Sequence, residues 1–235
     1  MSVNRTSEGV LGLIPARAGS KGIPGKNLRP FLNRPLVLHT IEVAVASRLL
    51  TDIAVTTDSP KIAEIAADRG ISVIHRPAEL AGDDVPMMPV VEHAVLAREA
   101  VLGHLFSTVV ILQPTSPLRW PEDVDGAIGK LLETGADCIV TVARSREHPL
   151  KARRIVNDLL VPFFDEEPVG GLRQNLAVSW RRNGAVYVIR REPGFDPDPI
   201  RSPGVRPYIM PIERSVDIDD LMDFELAEWL AERSG

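Results

Sequence analysis

Cysteine is almost absent from this 235-residue chain: Cys138 stands alone, so no intrachain disulfide forms. It lies in the apolar run Cys138–Val142, which reads as a buried strand, and a small core residue is a simpler account of it than a nucleophile. No stretch approaches the ~20 consecutive apolar residues of a membrane span. The first nine residues are polar and lack the hydrophobic core of a secretion signal. These absences predict a soluble, cytoplasmic chain with no membrane partner. An excess of positive charge is missing too: the formal net charge is −5, which argues against wholesale coating of nucleic acid. The histidines, His39, His75, His93, His104 and His148, show no metal-ligand spacing, so zinc is not expected. There is no nucleophile elbow, no defensible Ser-His-Asp grouping, no internal repeat and no low-complexity tract.

What is present is material for a sheet. The chain is 44% hydrophobic, enough for a sizeable core, and its apolar runs alternate with amphipathic segments. Strands are predicted over Val10–Ile14, Asp52–Thr57, Ser72–His75, Thr108–Leu112, Cys138–Val142, Gly184–Ile189 and Tyr208–Ile212. Helices are predicted over Pro35–Ser47, from Pro60 to Gly70, Val90–Leu102, Pro121–Glu133 and Leu221–Arg233. This pattern predicts an α/β fold, a mostly parallel sheet with helices on both faces, whose ligands bind beyond the carboxyl ends of the strands. Residues 143–182 break the pattern: they are basic, polar and rich in turns, and read as an excursion from the sheet within one domain spanning 1–235. A proline-rich loop covers 193–207.

Three loops carry chemistry. After the first strand, Arg17, Lys21 and Lys26 are interleaved with Gly19, Gly22 and Gly25. Glycines let backbone N–H groups approach an anion and the cations neutralise it, the two kinds of donor a polyphosphate needs. The loop is neither a Walker A motif, since Asn27 follows Gly25-Lys26, nor G-x-G-x-x-G, and taken alone it is also what a solvated turn looks like. The second loop, Gln113 to Arg119, is stiffened by Pro114 and Pro117; Gln113, nearest the strand end, is its best ligand candidate, while Thr115, Ser116 and Arg119 equally suit a rigid connector. The third stretch is Ser215 to Asp220. In an extended segment Asp217 and Asp219 share a face, with Val216 and Ile218 packing behind. Two carboxylates plus phosphate oxygens make a Mg²⁺ site, and Asp219 or Asp220 also suits the N-cap of the last helix.

Together these segments resemble the acylneuraminate cytidylyltransferases, the CMP-sialic acid synthetases. The resemblance runs in order through Ile14–Arg17, Gly19–Gly22, Lys26-Asn27, Thr57-Asp58, Arg76–Ala81, Leu112–Arg119, His148–Lys151, Arg173-Gln174, Asn183–Tyr187 and Asp217–Asp219. It implies a three-layer, mostly parallel Rossmann-like nucleotidyltransferase sheet with a small dimerisation excursion. It also implies a reaction: CTP and a nonulosonic acid give a CMP-sugar and pyrophosphate, with Mg²⁺ as cofactor. By that likeness Arg17, Ser20, Lys21 and Lys26 hold the triphosphate. Ala16, Asn27, Arg76, Gly82 and Asp83 surround the rest of CTP, and Gln113, Lys151, Arg173, Asn183 and Tyr187 line the sugar side. Asp217 and Asp219 hold the metal, with Arg17 and Lys21 completing the catalytic set. A homodimer is implied, the basic excursion crossing to the partner.

The chain departs from the family pattern at Gly82, where a hydroxyl is usual, and at Ala177 and Arg182, where prolines are frequent. Two alternatives stand beside this reading. One is a cytidylyltransferase for another acid such as a Kdo-like sugar, whose loop typically carries Ser-Thr-Arg in place of Gly19-Ser20-Lys21. The other is a nucleotide-binding regulator without turnover, against which the Asp217 and Asp219 pair argues.

Overall fold

The computed structural model describes residues 9–164, 176–191 and 198–233. Arg173, Gln174 and the opening of the proline-rich loop, 193–197, lie outside the described residues.

The chain enters the sheet with β1 (Val10–Pro15), forms a small hairpin from β2 (Pro30–Phe31) and β3 (Arg34–Pro35), and continues through α1 (Leu36–Ala46), β4 (Asp52–Thr57), α2 (Pro60–Ala67) and β5 (Ser72–His75). Then come α3 (Met87–Leu102), β6 (Thr108–Ile111), α4 (Pro121–Thr134) and β7 (Cys138–Arg144). A second hairpin, β8 (Arg153–Val156) with β9 (Leu159–Pro162), precedes β10 (Trp180–Arg190), β11 (Val205–Ile209) and α5 (Leu221–Ala231). Seven strands make the main sheet, in the order β11-β7-β10-β6-β1-β4-β5. Every neighbouring pair is parallel except those of β10, which runs antiparallel to both β6 and β7.

Alternation along the strands sorts the core into two layers. Ile14, Val55 and Val110 face α1, α2 and α4 through Val37, Ile41, Ile62, Val124 and Ile128. Leu11, Leu13, Val109 and Ile111 face α3 through Val91, Ala94 and Val95. The three-layer α/β architecture predicted from the sequence is therefore the one observed. Cys138 is buried in the second layer, and burial pushes its thiol up to about 12, the behaviour of an inert core residue.

A third apolar cluster matters most for the site. Ile23 from the loop after β1, Phe31 and Leu36 pack with Val216, Ile218 and Phe224 from near the other end of the chain. Each such burial stabilises by roughly 1.5–3 kcal/mol, and together they clamp the first loop against the last segment.

Two boundaries differ from the sequence reading. The last strand is Val205–Ile209 rather than Tyr208–Ile212, because Pro211 leads into a 3-10 turn over Ile212–Arg214. Pro207 is accommodated because β11 is an edge strand, bonded among the described residues only to β7. The excursion also begins later than its composition implies: β7 and β10 stay paired out to Arg144 and Trp180, with a register irregularity between Arg182 and Tyr187. Among the described residues no helix is long and apolar enough to cross a membrane.

Candidate active site

The loop after β1 is fixed by its backbone. The buried Ala16 donates its N–H to the Thr56 carbonyl (3.0 Å), Ala18 donates its N–H to Asp58 Oδ1 (2.8 Å), and Asn27 Nδ2 donates to the Arg17 carbonyl (2.9 Å). These bonds leave the Arg17, Ser20 and Lys26 side chains lining one open cleft beyond the ends of β1, β4 and β6. Arg76 closes another wall, its buried guanidinium donating to the Thr56 carbonyl (2.9 Å), while its buried Nε has no hydrogen-bond partner among the described residues. Burial lowers its pKa, with Asp58 opposing.

The loop cations are already engaged. Arg17 pairs with Asp83 (2.5 Å) and Lys21 Nζ with Asp84 (2.8 Å), both acids lying beside the exposed Gly82 just before α3. The exposed Lys21 pair is worth little in water, so an anion can displace Asp84 from Lys21 at small cost.

The far segment meets this loop directly. Lys26 Nζ donates to the Ile218 carbonyl (2.5 Å). A Cβ on Gly22 would lie 2.1 Å from the Asp219 carbonyl oxygen, so only glycine permits the contact. Burial lowers the Lys26 pKa, and the nearby Asp219 and Asp217 push it back up. As the period of two predicts, Val216 and Ile218 are buried behind, while Asp217 and Asp219 fall on the other face. Asp220 caps α5, accepting from Asp223 N–H (3.0 Å), which keeps the other two carboxylates out of the cap. Asp217 is half-buried; one carboxylate oxygen is buried with no hydrogen-bond partner among the described residues, and a hydrogen bond from Thr115 reaches its side chain. Burial raises its pKa, opposed first by the Thr115 bond and reinforced by Asp219. Among the described residues no three His, Cys, Asp or Glu side chains converge into a ready-made metal cage. A pair of carboxylates with an orphaned oxygen still fits a cation whose remaining ligands are phosphate oxygens and water.

The sugar-side candidates divide. Gln113 lines the cleft and a second cavity beside it, which Tyr187 also lines. Gly184, at φ +72°, brings β10 so close that a Cβ would lie 2.6 Å from Asp217 Oδ2 and 3.1 Å from Gln113 Oε1. Asn183 is fully buried, and its amide is taken up structurally. Nδ2 donates to Ser215 Oγ (2.8 Å) and contacts Met210 Sδ (3.2 Å), and Oδ1 accepts from Ala185 N–H (3.2 Å). It thus holds the start of β10 to the Asp217 segment. Lys151 is exposed on the turn Pro149–Lys151 and lines neither cavity. Arg173 lies outside the described residues.

Sequence reasoning left Arg119 open between ligand and connector; the structure makes it a brace. Fully buried, its guanidinium donates to the Gln113 and Ala185 carbonyls and to Thr40 Oγ1 (2.6 Å). Burial lowers its pKa to about 9, against the pull of Asp217 and Asp123. Ser116 is buried too and donates to the Asn183 carbonyl (3.2 Å). No local pattern reveals such roles, because both bonds reach across more than sixty residues of chain.

Residues 11–195 match the family model described as Cytidylyltransferase. The chain is 33% identical over 93% of its length to the N-acylneuraminate cytidylyltransferase of Escherichia coli O18:K1:H7, and spans about half, 51%, of that protein's length. It is 32% identical to the CMP-N,N'-diacetyllegionaminic acid synthase of Legionella pneumophila, over 95% of this chain and 96% of that one. Its fold resembles that of a CMP:2-keto-3-deoxy-manno-octonic acid synthetase solved with CTP, at TM-score 0.68 and 17% identity, covering 97% of this chain and all of the other.

Proposed function

The chain belongs to the cytidylyltransferase family, and on that premise we propose that it joins CTP to a nonulosonic acid, releasing pyrophosphate and a CMP-sugar. The observation that carries the proposal is the contact between the phosphate-type loop and the acidic segment, Lys26 to Ile218 and Gly22 against Asp219. It sets cations for a triphosphate beside a carboxylate pair. Arg17, Ser20, Lys21 and Lys26 take the phosphates, Arg17 and Lys21 exchanging their acidic partners for CTP. Asn27, Arg76 and the backbone around Ala16 and Gly82 enclose the nucleoside. Gln113 and Tyr187 face the acceptor.

The acceptor's anomeric oxygen attacks the α-phosphorus in line as the bond to pyrophosphate breaks, a reaction governed by positioning and charge. Arg17 and Lys21 stabilise the charge that grows on the leaving group. Asp217 and Asp219 fit Mg²⁺, which when bound screens phosphate oxygens and lowers the pKa of the attacking hydroxyl.

The same reading makes the protein a homodimer. Among the described residues the β8–β9 hairpin pairs with no other strand and exposes Ile155, Leu159, Leu160 and Phe163, a patch that water disfavours. In a dimer this excursion carries Lys151 toward the partner's acceptor side. Residues 1–235 act as one catalytic domain in the cytoplasm, where CTP is supplied.

The test is pyrophosphate release from the purified protein given CTP, Mg²⁺ and a panel of nonulosonic acids. Turnover with at least one acid supports the proposal. CTP binding with no release across the panel overturns it in favour of a nucleotide-binding regulator, and turnover only with a Kdo-like acid moves the acceptor class.

A further inference from the structure

If the carboxylates of Asp217 and Asp219 serve CTP, as that reading has it, they must stand at a fixed place beside the phosphates. An error of about 1 Å there costs on the order of 10²-fold in rate. Yet the chain that carries them lies outside the sheet. β11 ends at Ile209 and α5 begins at Leu221, and among the described residues no strand lies between. With no ladder to fix this segment, side chains must.

Downstream of Asp217, Ile218 donates its N–H to the Thr115 carbonyl (2.8 Å) and accepts from Lys26. Upstream, the Ser215 carbonyl accepts from Arg181 Nη2 (2.8 Å). Beside it Arg214 reaches to α4. Its Nε donates to Asp123 Oδ2 (3.0 Å) and its Nη2 to Asp123 Oδ1 (2.7 Å), and its guanidinium carbon lies 4.4 Å from the centre of the Trp120 ring. Asp123, almost wholly buried in the first turn of α4, also accepts from Trp120 N–H (2.9 Å). The fork fixes the guanidinium to the carboxylate and the ring fixes its plane. The same carboxylate attracts Arg119, which holds the Gln113 carbonyl. One buried charge of α4 thus ties two walls of the cleft together, the Gln113 loop and the Asp217 segment.

We propose that Arg214 is a positioning residue for the reaction: clamped to Asp123 and Trp120, it sets where Asp217 stands relative to Thr115, and so how well the carboxylate pair receives a divalent cation with CTP. It acts through the backbone that leads to Asp217, from the α4 side of the segment. Lysine is no substitute, because an ammonium is a point charge without the fork or the flat face.

The experiment measures the dissociation constant of CTP by calorimetry with and without Mn²⁺, no acceptor being present, beside the melting temperature. The readout is the gain in CTP affinity that the metal brings. Arg214→Lys keeps a cation next to Asp123, and it should cut that gain by roughly 10-fold while the metal-free constant holds. Trp120→Leu leaves the ion pair in place and should act in the same direction by less; it carries the test if Arg214→Lys lowers the melting temperature. Arg34→Lys, in the exposed pair with Glu42, should change nothing. A gain unaltered in both Arg214→Lys and Trp120→Leu overturns the proposal. So does an equal loss of affinity with and without Mn²⁺, which a merely structural role would give, and so does wild-type protein that gains nothing from the metal. With an acid that turns over, Arg214→Lys should lower kcat and leave the KM for that acid in place. Failure of every acid to release pyrophosphate overturns the functional reading instead, an outcome separate from the Mn²⁺ comparison.

Discussion

The cleft and the β8–β9 hairpin are built in opposite senses. At the cleft, polar groups are buried: Arg119, Asn183 and Lys26 are shielded from water, and each is held by carbonyls or hydroxyls. On the hairpin, apolar groups are exposed, with Ile155 at 77% and Leu160 at 70%. A folded chain normally avoids both arrangements, because a buried charge loses its solvent and an exposed aliphatic keeps too much of it. On the proposed function each inversion is completed from outside the chain, the cleft by anions and a cation and the hairpin by the partner's apolar surface.

The comparison breaks first at the acidic segment. If the carboxylates serve chemistry, Asp219→Ala lowers the rate of pyrophosphate release by roughly 10³-fold, about 4 kcal/mol. The exposed Asp219 lies outside the cap of α5, so the thermal transition should barely move. A variant with full turnover would remove the metal assignment.

The hairpin gives the next largest effect. Ile155→Asp combined with Leu160→Asp puts two charges into the patch and should convert a dimer to a monomer in analytical ultracentrifugation. Among the described residues the hairpin is bonded to no strand of the main sheet, so the melting temperature of the main fold should hold even though the two facing aspartates, at paired positions, loosen the hairpin itself. An unaltered sedimentation coefficient would place the interface elsewhere.

Gly22→Ala sharpens the junction of the two chain ends. The added methyl meets the Asp219 carbonyl, so loop and segment must part. A loss of about 1–3 kcal/mol is expected, read as a lower melting temperature together with a raised KM for CTP. A melting temperature and KM equal to wild type would mean that the loop yields without strain.

The smallest effect runs the other way. The pKa of Asp217 is raised by burial, so its ionised form is a cost to the fold that is present at neutral pH and relieved as pH falls through the raised value. Asp217→Asn should therefore raise the melting temperature at pH 8 in the absence of divalent ions, and the advantage should fade toward acid pH. No stabilisation at pH 8, or one that grows in acid, would reverse the sign.

Much of the sheet was legible because its signals are local. Asp52–Thr57 and Ser72–His75 are short apolar runs bounded by Pro60 and Gly70, and they emerge with the predicted limits. The Asp217 and Asp219 face was legible for the same reason, a period of two over a few residues. Direction was not legible: periodicity is the same read either way, so nothing in Gly184–Ile189 announced that β10 runs against its neighbours. The second hairpin did carry a signal. Asn157 and Asp158 adopt φ of 51° and 65° between Ile155-Val156 and Leu159-Leu160, a two-residue turn between apolar pairs, but the surrounding arginines masked it. The bracing by Arg119 and Asn183 depends on distant parts of the chain meeting, which no window of sequence contains.

The reversed strand has a consequence for how this scaffold can change. Because β10 runs against β7, Arg144 leaves the sheet beside Trp180, where the chain returns. The ends of the segment 145–179 are thus pinned together where β7 and β10 pair. Lengthening such a loop costs little, roughly 0.6 kcal/mol per doubling, and leaves the ladder beneath it untouched. Another protein's segment grafted between Arg144 and Trp180 would change the excursion while the sheet that carries the cleft stays as it is.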